Sequence, residues 1–237
     1  MPHAYSRVSH RASQPISVYL PTMKRIVLYM MLFLLPHVAF ADAQLDALVQ
    51  KLQKKYATLE GFKAQFTQSY QSQRFSEGLS ESGVVYLRKG GHMKWQYTKP
   101  EPKMFVSDGM FYYYYVPEDK QVIKSPITPG EQHSPALFLA GRGNFVQDFK
   151  AEWSDPRPGS HLIKLTPLKP QPDFQSLIVD VDPVPGLILR LLVVDEFSNR
   201  TEYRFTQIQE NPQFPANFFT FQPPPGTDVI YQRSEAE

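Results

Sequence analysis

Cysteine is absent from all 237 residues, which excludes disulfides, thiol nucleophiles and cysteine-ligated metal sites together. It also removes the residue on which bacterial lipoproteins are acylated, so the chain is expected to work in soluble form. Histidine is scarce: beyond residue 41 there are only His92, His133 and His161, far apart and without a second ligand at helical or strand spacing, and they read as surface or loop residues. No GxSxG elbow, GxxxxGK[ST] loop or HExxH helix occurs. Asp180 and Asp182 alternate along a strand and could form a calcium or acid–base pair, but Pro183 follows at once and a solvated strand end accounts for them. No enzymatic activity, metal or cofactor is expected.

A basic surface is lacking too, once the N-terminus is set aside. From Met23 the chain reads MKRIVLYMMLFLLPHVAFAD: Lys24 and Arg25, the apolar run Ile26 to Leu35, then the small-residue site Ala39-Phe40-Ala41. This is the pattern of a secretory signal peptide, cleaved after Ala41. The run breaks at Pro36 and His37, short of the roughly 20 apolar residues of a membrane-spanning helix. Residues 1–22 are polar and aperiodic and read as an over-long start ahead of a true initiator at Met23, so residues 42–237 are expected to form a single domain. Residues 1–41 hold four of the 25 basic residues and none of the 23 acidic ones, leaving 21 basic against 23 acidic residues. Nucleic-acid binding thereby loses its compositional support.

What the chain does have is a change of period. Leu45, Leu48, Val49, Leu52, Tyr56 and Leu59 mark one face of a helix that Glu60-Gly61 should end. After Gly61 the period becomes two. Phe62, Ala64 and Phe66 alternate with polar residues, and further strands are expected at 83–88, 93–97, 103–106, 110–116, 121–124, 152–153, 161–165, 175–181, 187–194 and 200–208. Turn signals such as Gly90-Gly91, Asp108-Gly109 and Pro185-Gly186 separate them. Pro135 to Gly141 reads as a short helix opened by proline and stopped by glycine, and Phe145 to Phe149 as a further helical turn. The sum is a mainly β, α+β chain of single-domain size, with many antiparallel strands and one long amphipathic helix.

Phe111 to Tyr115 places five aromatic rings in succession. As a strand it turns Phe111, Tyr113 and Tyr115 to one side and Tyr112 and Tyr114 to the other, so neither side suits bulk water. Such a strand is either covered on both faces or lines a cavity whose wet edge a phenol tolerates. Phe111, Tyr113 and Tyr115 are assigned to the cavity, because Tyr112 and Tyr114 can then pack beneath the short helices.

Several stretches together carry a family resemblance. The opening helix running into Phe62-Lys-Ala-Gln-Phe-Thr-Gln, then Gly83-Val-Val-Tyr-Leu-Arg-Lys and Met93-Lys94-Trp95, then Val106-Ser107-Asp108-Gly109 before the aromatic strand, and finally Phe219-Thr220-Phe221-Gln-Pro-Pro-Pro-Gly226 resemble the LolA family of periplasmic outer-membrane lipoprotein carriers, over about Leu45 to Ile230. The resemblance implies an unclosed antiparallel β-barrel with a helical lid over an apolar cavity that takes the acyl chains of lipoproteins in the periplasm. It implies as partners an inner-membrane lipoprotein-releasing ABC transporter and an outer-membrane, LolB-like acceptor, with the carrier itself a monomer. On that frame the cavity-lining residues are Leu48 and Leu52, Met93 and Trp95, Phe111, Tyr113 and Tyr115, and Leu137, Phe138 and Leu139. In the family a basic residue after the second strand, commonly Arg before Pro, helps hold the lid. The matching position here is Lys89 before Gly90, with Arg88 as the neighbouring candidate, and this departure implies a weaker latch, because Lys lacks the bidentate fork of Arg. A sensor of the same fold, like RseB, is the alternative reading; it would usually carry a second domain. The acceptor LolB is disfavoured by the missing cysteine.

Overall fold

The computed structural model describes residues 36–72, 78–127, 139–140, 143–155, 157 and 159–232, with side chains described from residue 42 onward. Two compact units divide the chain at Asp42/Ala43, and the sheet belongs to the second. Helix α1 (Pro36–Thr58) precedes β1 (Gly61–Gln71). All six residues of the expected apolar stripe, from Leu45 to Leu59, are buried, Leu52 completely. The helix ends where its carbonyls find other donors. The Thr58 hydroxyl donates to Lys54 and Lys55 at 3.0 and 3.1 Å, and the amides of Glu60 and Gly61 turn to the Asn211 side chain at 2.9 and 3.2 Å.

The strands that follow are β2 (Leu79–Arg88), β3 (His92–Lys99), β4 (Lys103–Asp108), β5 (Phe111–Val116), β6 (Gln121–Pro126), β7 (Phe149–Trp153), β8 (Leu162–Pro167), β9 (Ser176–Val181), β10 (Ile188–Val194), β11 (Arg200–Glu210) and β12 (Asp228–Tyr231). They form one curved 12-stranded sheet in the order β12-β6-β5-β4-β3-β2-β1-β11-β10-β9-β8-β7. The sheet does not close, since β7 and β12 pair on one side only. Every strand expected from the sequence is present; β12, which runs parallel to β6, was not expected. The Phe145 stretch is no helix. Asn144 accepts the amides of Val146 and Gln147 through its side chain, a turn that local side-chain bonding favours over helix, and Phe149 already begins β7.

The inner face of the sheet and the stripe of α1 form one core, with Phe62, Phe66, Val85, Leu87, Met93, Trp95, Ile163, Leu177 and Phe205 among its buried residues. Polar ties hold the second half of the helix to the strands. The Lys55 ammonium meets Glu210 at 2.5 Å, the Tyr56 hydroxyl accepts the Ile188 amide at 3.2 Å, and Gln53 accepts the Phe145 amide at 2.7 Å. The outer face has its own covering. Residues 214–221 lay Phe214 and Phe218 against Tyr86 at 6.2 and 5.0 Å and Phe221 against Tyr113 and Tyr115 at 5.4 and 5.7 Å.

This arrangement corrects the assignment of the aromatic strand. Between β3 and β4 a three-residue link, Pro100 to Pro102, leaves Trp95 opposite Phe105. Between β4 and β5 only Gly109 and Met110 intervene, so Phe105 faces Tyr114, and Ser107 faces Tyr112. Gly109, at φ 92°, permits that tight reversal. Opposed residues share a face. Tyr112 and Tyr114 therefore lie on the side of Trp95, while Phe111, Tyr113 and Tyr115 lie on the outer side in a separate cluster with Val106, Val122 and Phe221.

Two substitutions test the packing. A Cβ on Gly83 would stand 2.0 Å from the Gln96 carbonyl oxygen, beside the register shift between Ser82 and Gly83. Gly83→Ala is expected to destabilise by at least about 1–3 kcal/mol in urea unfolding. Leu52→Ala, which opens a void under the helix, should cost about 2–5 kcal/mol. A loss under about 1 kcal/mol at either position would contradict the packing described.

Candidate functional site: an aromatic hollow on the inner face

Beyond the reach of the α1 stripe, the inner face holds a hollow of about 220 Å³. Register brings its lining together: Gln68 lies opposite both Glu81 and Tyr203, and Tyr97 lies opposite Lys103. Trp95, Tyr97, Phe105, Tyr114 and Tyr203 supply an aromatic wall, and Gln68, Glu81 and Lys103 are the polar members. The rings meet mostly edge to face, as their quadrupoles favour: Phe66 stands 4.9 Å from Trp95 and 5.0 Å from Tyr97, centroid to centroid, and Trp95 lies 5.3 Å from Tyr203.

The polar groups are paired with one another. The Tyr97 hydroxyl donates to Gln68 Oε1 at 2.7 Å, and the Lys103 ammonium bonds Glu81 at 2.5 Å while standing 4.7 Å over the Tyr97 ring. Burial raises the Tyr97 phenol above its ordinary range, with the Tyr203 ring, the Glu81 carboxylate and Tyr114 adding to the effect. Tyr203 is pushed up to about 12, first by burial and then by Glu81. Tyr56, beneath the helix, is raised as well, chiefly by burial.

Of the expected site residues that are described, Trp95 alone lines this hollow. Leu48, Leu52 and Met93 are buried beside it in the helix-to-sheet core, as is Leu139; Leu137 and Phe138 lie outside the described residues. Phe111, Tyr113 and Tyr115 are on the opposite face, as described above. Lys89 reaches the helix: its ammonium bonds the Ala57 carbonyl at 3.1 Å and Glu60 at 3.0 Å, at the end of α1 where a cation is favoured. Arg88 points to the outer face, its guanidinium 4.9 Å over the Phe219 ring. Tyr97, Phe105, Tyr114 and Tyr203 were not anticipated. Alternation along β3 gives Tyr97, and carrying the face of Trp95 across the two hairpins by link length gives Phe105 and Tyr114.

The hollow is smaller than the roughly 300–1,000 Å³ of a site that engulfs a drug-sized molecule, and the stripe of α1 shares one core with the buried residues of the sheet. Among the described residues the fold is an open sheet around an apolar interior, with one long helix packed into it. The family profile described as outer membrane lipoprotein carrier protein LolA matches residues 57–222, and the chain belongs to that family. Curated relatives named outer-membrane lipoprotein carrier protein include one from Dechloromonas aromatica, 28% identical over 197 residues that cover 83% of this chain and 91% of the relative. Another, from Bordetella avium, is 30% identical over 211 residues, 88% of this chain and 97% of the relative. A solved LolA superfamily protein of Nitrosomonas europaea aligns over 75% of this chain and 97% of its own with a TM-score of 0.44 and 10% identity.

The raised phenols set an alkaline limit. Unfolded tyrosine ionises near 10 whereas Tyr56, Tyr97 and Tyr203 stay protonated in the folded chain at higher pH. Folding above pH 10 therefore takes up protons, and stability, intact below that pH, falls as pH rises, by up to about 1.4 kcal/mol per pH unit for each group. Urea midpoints measured from pH 9 to 12 should decline more steeply for wild type than for Tyr203→Phe; equal slopes would mean that the phenol is not sequestered.

Proposed function

We propose that this protein carries outer-membrane lipoproteins through the periplasm by enclosing their acyl chains between the open sheet and α1. Membership in the lipoprotein-carrier family is the observation that carries this reading, and the apolar inner face supplies its physics. In the described form the helix occupies that face. Cargo enters as Leu48, Leu52 and their neighbours give way, and acyl chains replace the helix against Met93, Trp95 and the aromatic wall. Burying hydrocarbon stabilises by roughly 0.8 kcal/mol per CH₂, so a chain of a dozen-odd carbons contributes on the order of 10 kcal/mol. Return of the helix to the same surface offsets part of that and lets the cargo leave.

In this reading Lys89 is the latch that favours the helix-down state, through Ala57 and Glu60. Being half exposed, it is a weak latch. Binding and release involve no catalysis in the chain itself, so the energy for loading comes from the partner: an inner-membrane ABC transporter hands over cargo, and an outer-membrane acceptor receives it. Residues 23–41 act as the export signal.

The test is a release assay. Energised spheroplasts making a triacylated lipoprotein are incubated with the processed protein, and a soluble one-to-one complex is expected in the supernatant; none, with folded protein and active transporter, would refute the carrier role. In the same assay Lys89→Leu should still take cargo but pass it to outer membranes several-fold more slowly. Wild-type transfer by that variant would remove the latch. Trp95→Glu, where circular dichroism shows it folded, should fail to load, whereas normal loading would place Trp95 outside the lipid path.

A further inference from the structure

The aromatic hollow adjoins a second one of about 330 Å³, and the two share Glu81, Lys103 and Tyr114. Character changes across that shared wall. On one side stand Trp95, Phe105 and Tyr203; on the other Glu101, Glu118, Asp119 and Gln121. At the boundary the Glu81–Lys103 pair reaches from β2 to β4 over the Tyr97 ring on β3, with side chains only 19% and 24% exposed.

A half-buried ion pair gives a fold little net stability, because desolvation offsets the attraction, and an apolar pair of similar size serves as well or better. A sleeve for hydrocarbon alone has no use for it, nor for the Tyr97 hydroxyl held by Gln68. An ammonium carries three donors. One goes to Glu81, which fixes the group at the junction and leaves it able to give charge-assisted bonds to carbonyl oxygens.

We infer that Glu81, Lys103 and Tyr97 form a subsite for the polar junction of the cargo, the ester and amide carbonyls that join acyl chains to the peptide. The hydrocarbon lies in the aromatic hollow, and the peptide leaves through the second one. This assignment rests on the carrier reading and adds to it a determinant of register, which sets how far the chains slide in before the linkage meets a donor.

Two probes separate the ideas. N-phenyl-1-naphthylamine reports the apolar hollow alone. A tripalmitoyl-cysteinyl lipopeptide with a lysine tail, chosen because the acids of the second hollow would repel an acidic one, reports hollow and junction together. The double variant Glu81→Leu/Lys103→Met removes both charges and leaves the net charge unaltered. It should bind the lipopeptide at least about tenfold more weakly, a loss several-fold larger than any change in its affinity for the fluorophore, and Lys103→Arg should retain most lipopeptide affinity. Unchanged lipopeptide affinity in the double variant, or equal loss of both probes in a folded protein, would overturn the junction subsite. Failure of wild type to bind either probe would instead overturn the carrier reading. Should the double variant not fold, wild type decides: methyl palmitate must displace the fluorophore at several-fold lower concentration than heptadecane, and parity between the two would dismiss the subsite.

Discussion

An open sheet with an apolar inner face has to be covered, and in this protein the covering is the stripe Leu45–Leu59 of one amphipathic helix. The rest of the inner architecture follows from that contact. It buries Leu52 and Met93 completely, withdraws the Tyr56 hydroxyl to meet the Ile188 amide, and leaves an aromatic hollow on the stretch of β1–β5 and β11. In the carrier cycle proposed above, a cover held by burial and a few polar ties, rather than by strand pairing, is exchanged for another apolar body of like area.

The helix and the β-strands were legible because each announces itself locally. Periods of 3.6 and 2 survive in the sequence wherever one face is buried, and from Leu45 to Ile208 they do. Which face a strand turns inward is not local. It depends on the number of residues in each link, and the Gly109-Met110 turn, two residues against the three of Pro100 to Pro102, inverts the alternation between β4 and β5. The aromatic run thus answers to both readings made of it. Tyr114 reaches the hollow, while Phe111, Tyr113 and Tyr115 belong to a core of their own.

That second core was missed for a related reason. Phe214, Phe218, Phe219 and Phe221 sit among prolines with no strand period, so nothing in their spacing indicates that they cover Tyr86 and Tyr113 on the outer face. Lys89 and Arg88, by contrast, were adjacent candidates for one role, and strand alternation separates them: Lys89 turns to the end of the helix, Arg88 to Phe219. A short parallel pairing such as β12 with β6 has no signature strong enough to read from four residues.

The position of β12 carries a consequence of its own. An unclosed sheet has two flanks with unsatisfied amides and carbonyls, each an invitation to a passing strand. Here the tail of the chain takes up the β6 flank, with Asp228 to Tyr231 running beside Gln121 to Lys124, and the opposite flank is kept short and charged, with Lys150 and Glu152 on a five-residue strand. Both rims of the sheet are thereby short strands, four and five residues long, which offer a passing strand little to pair with.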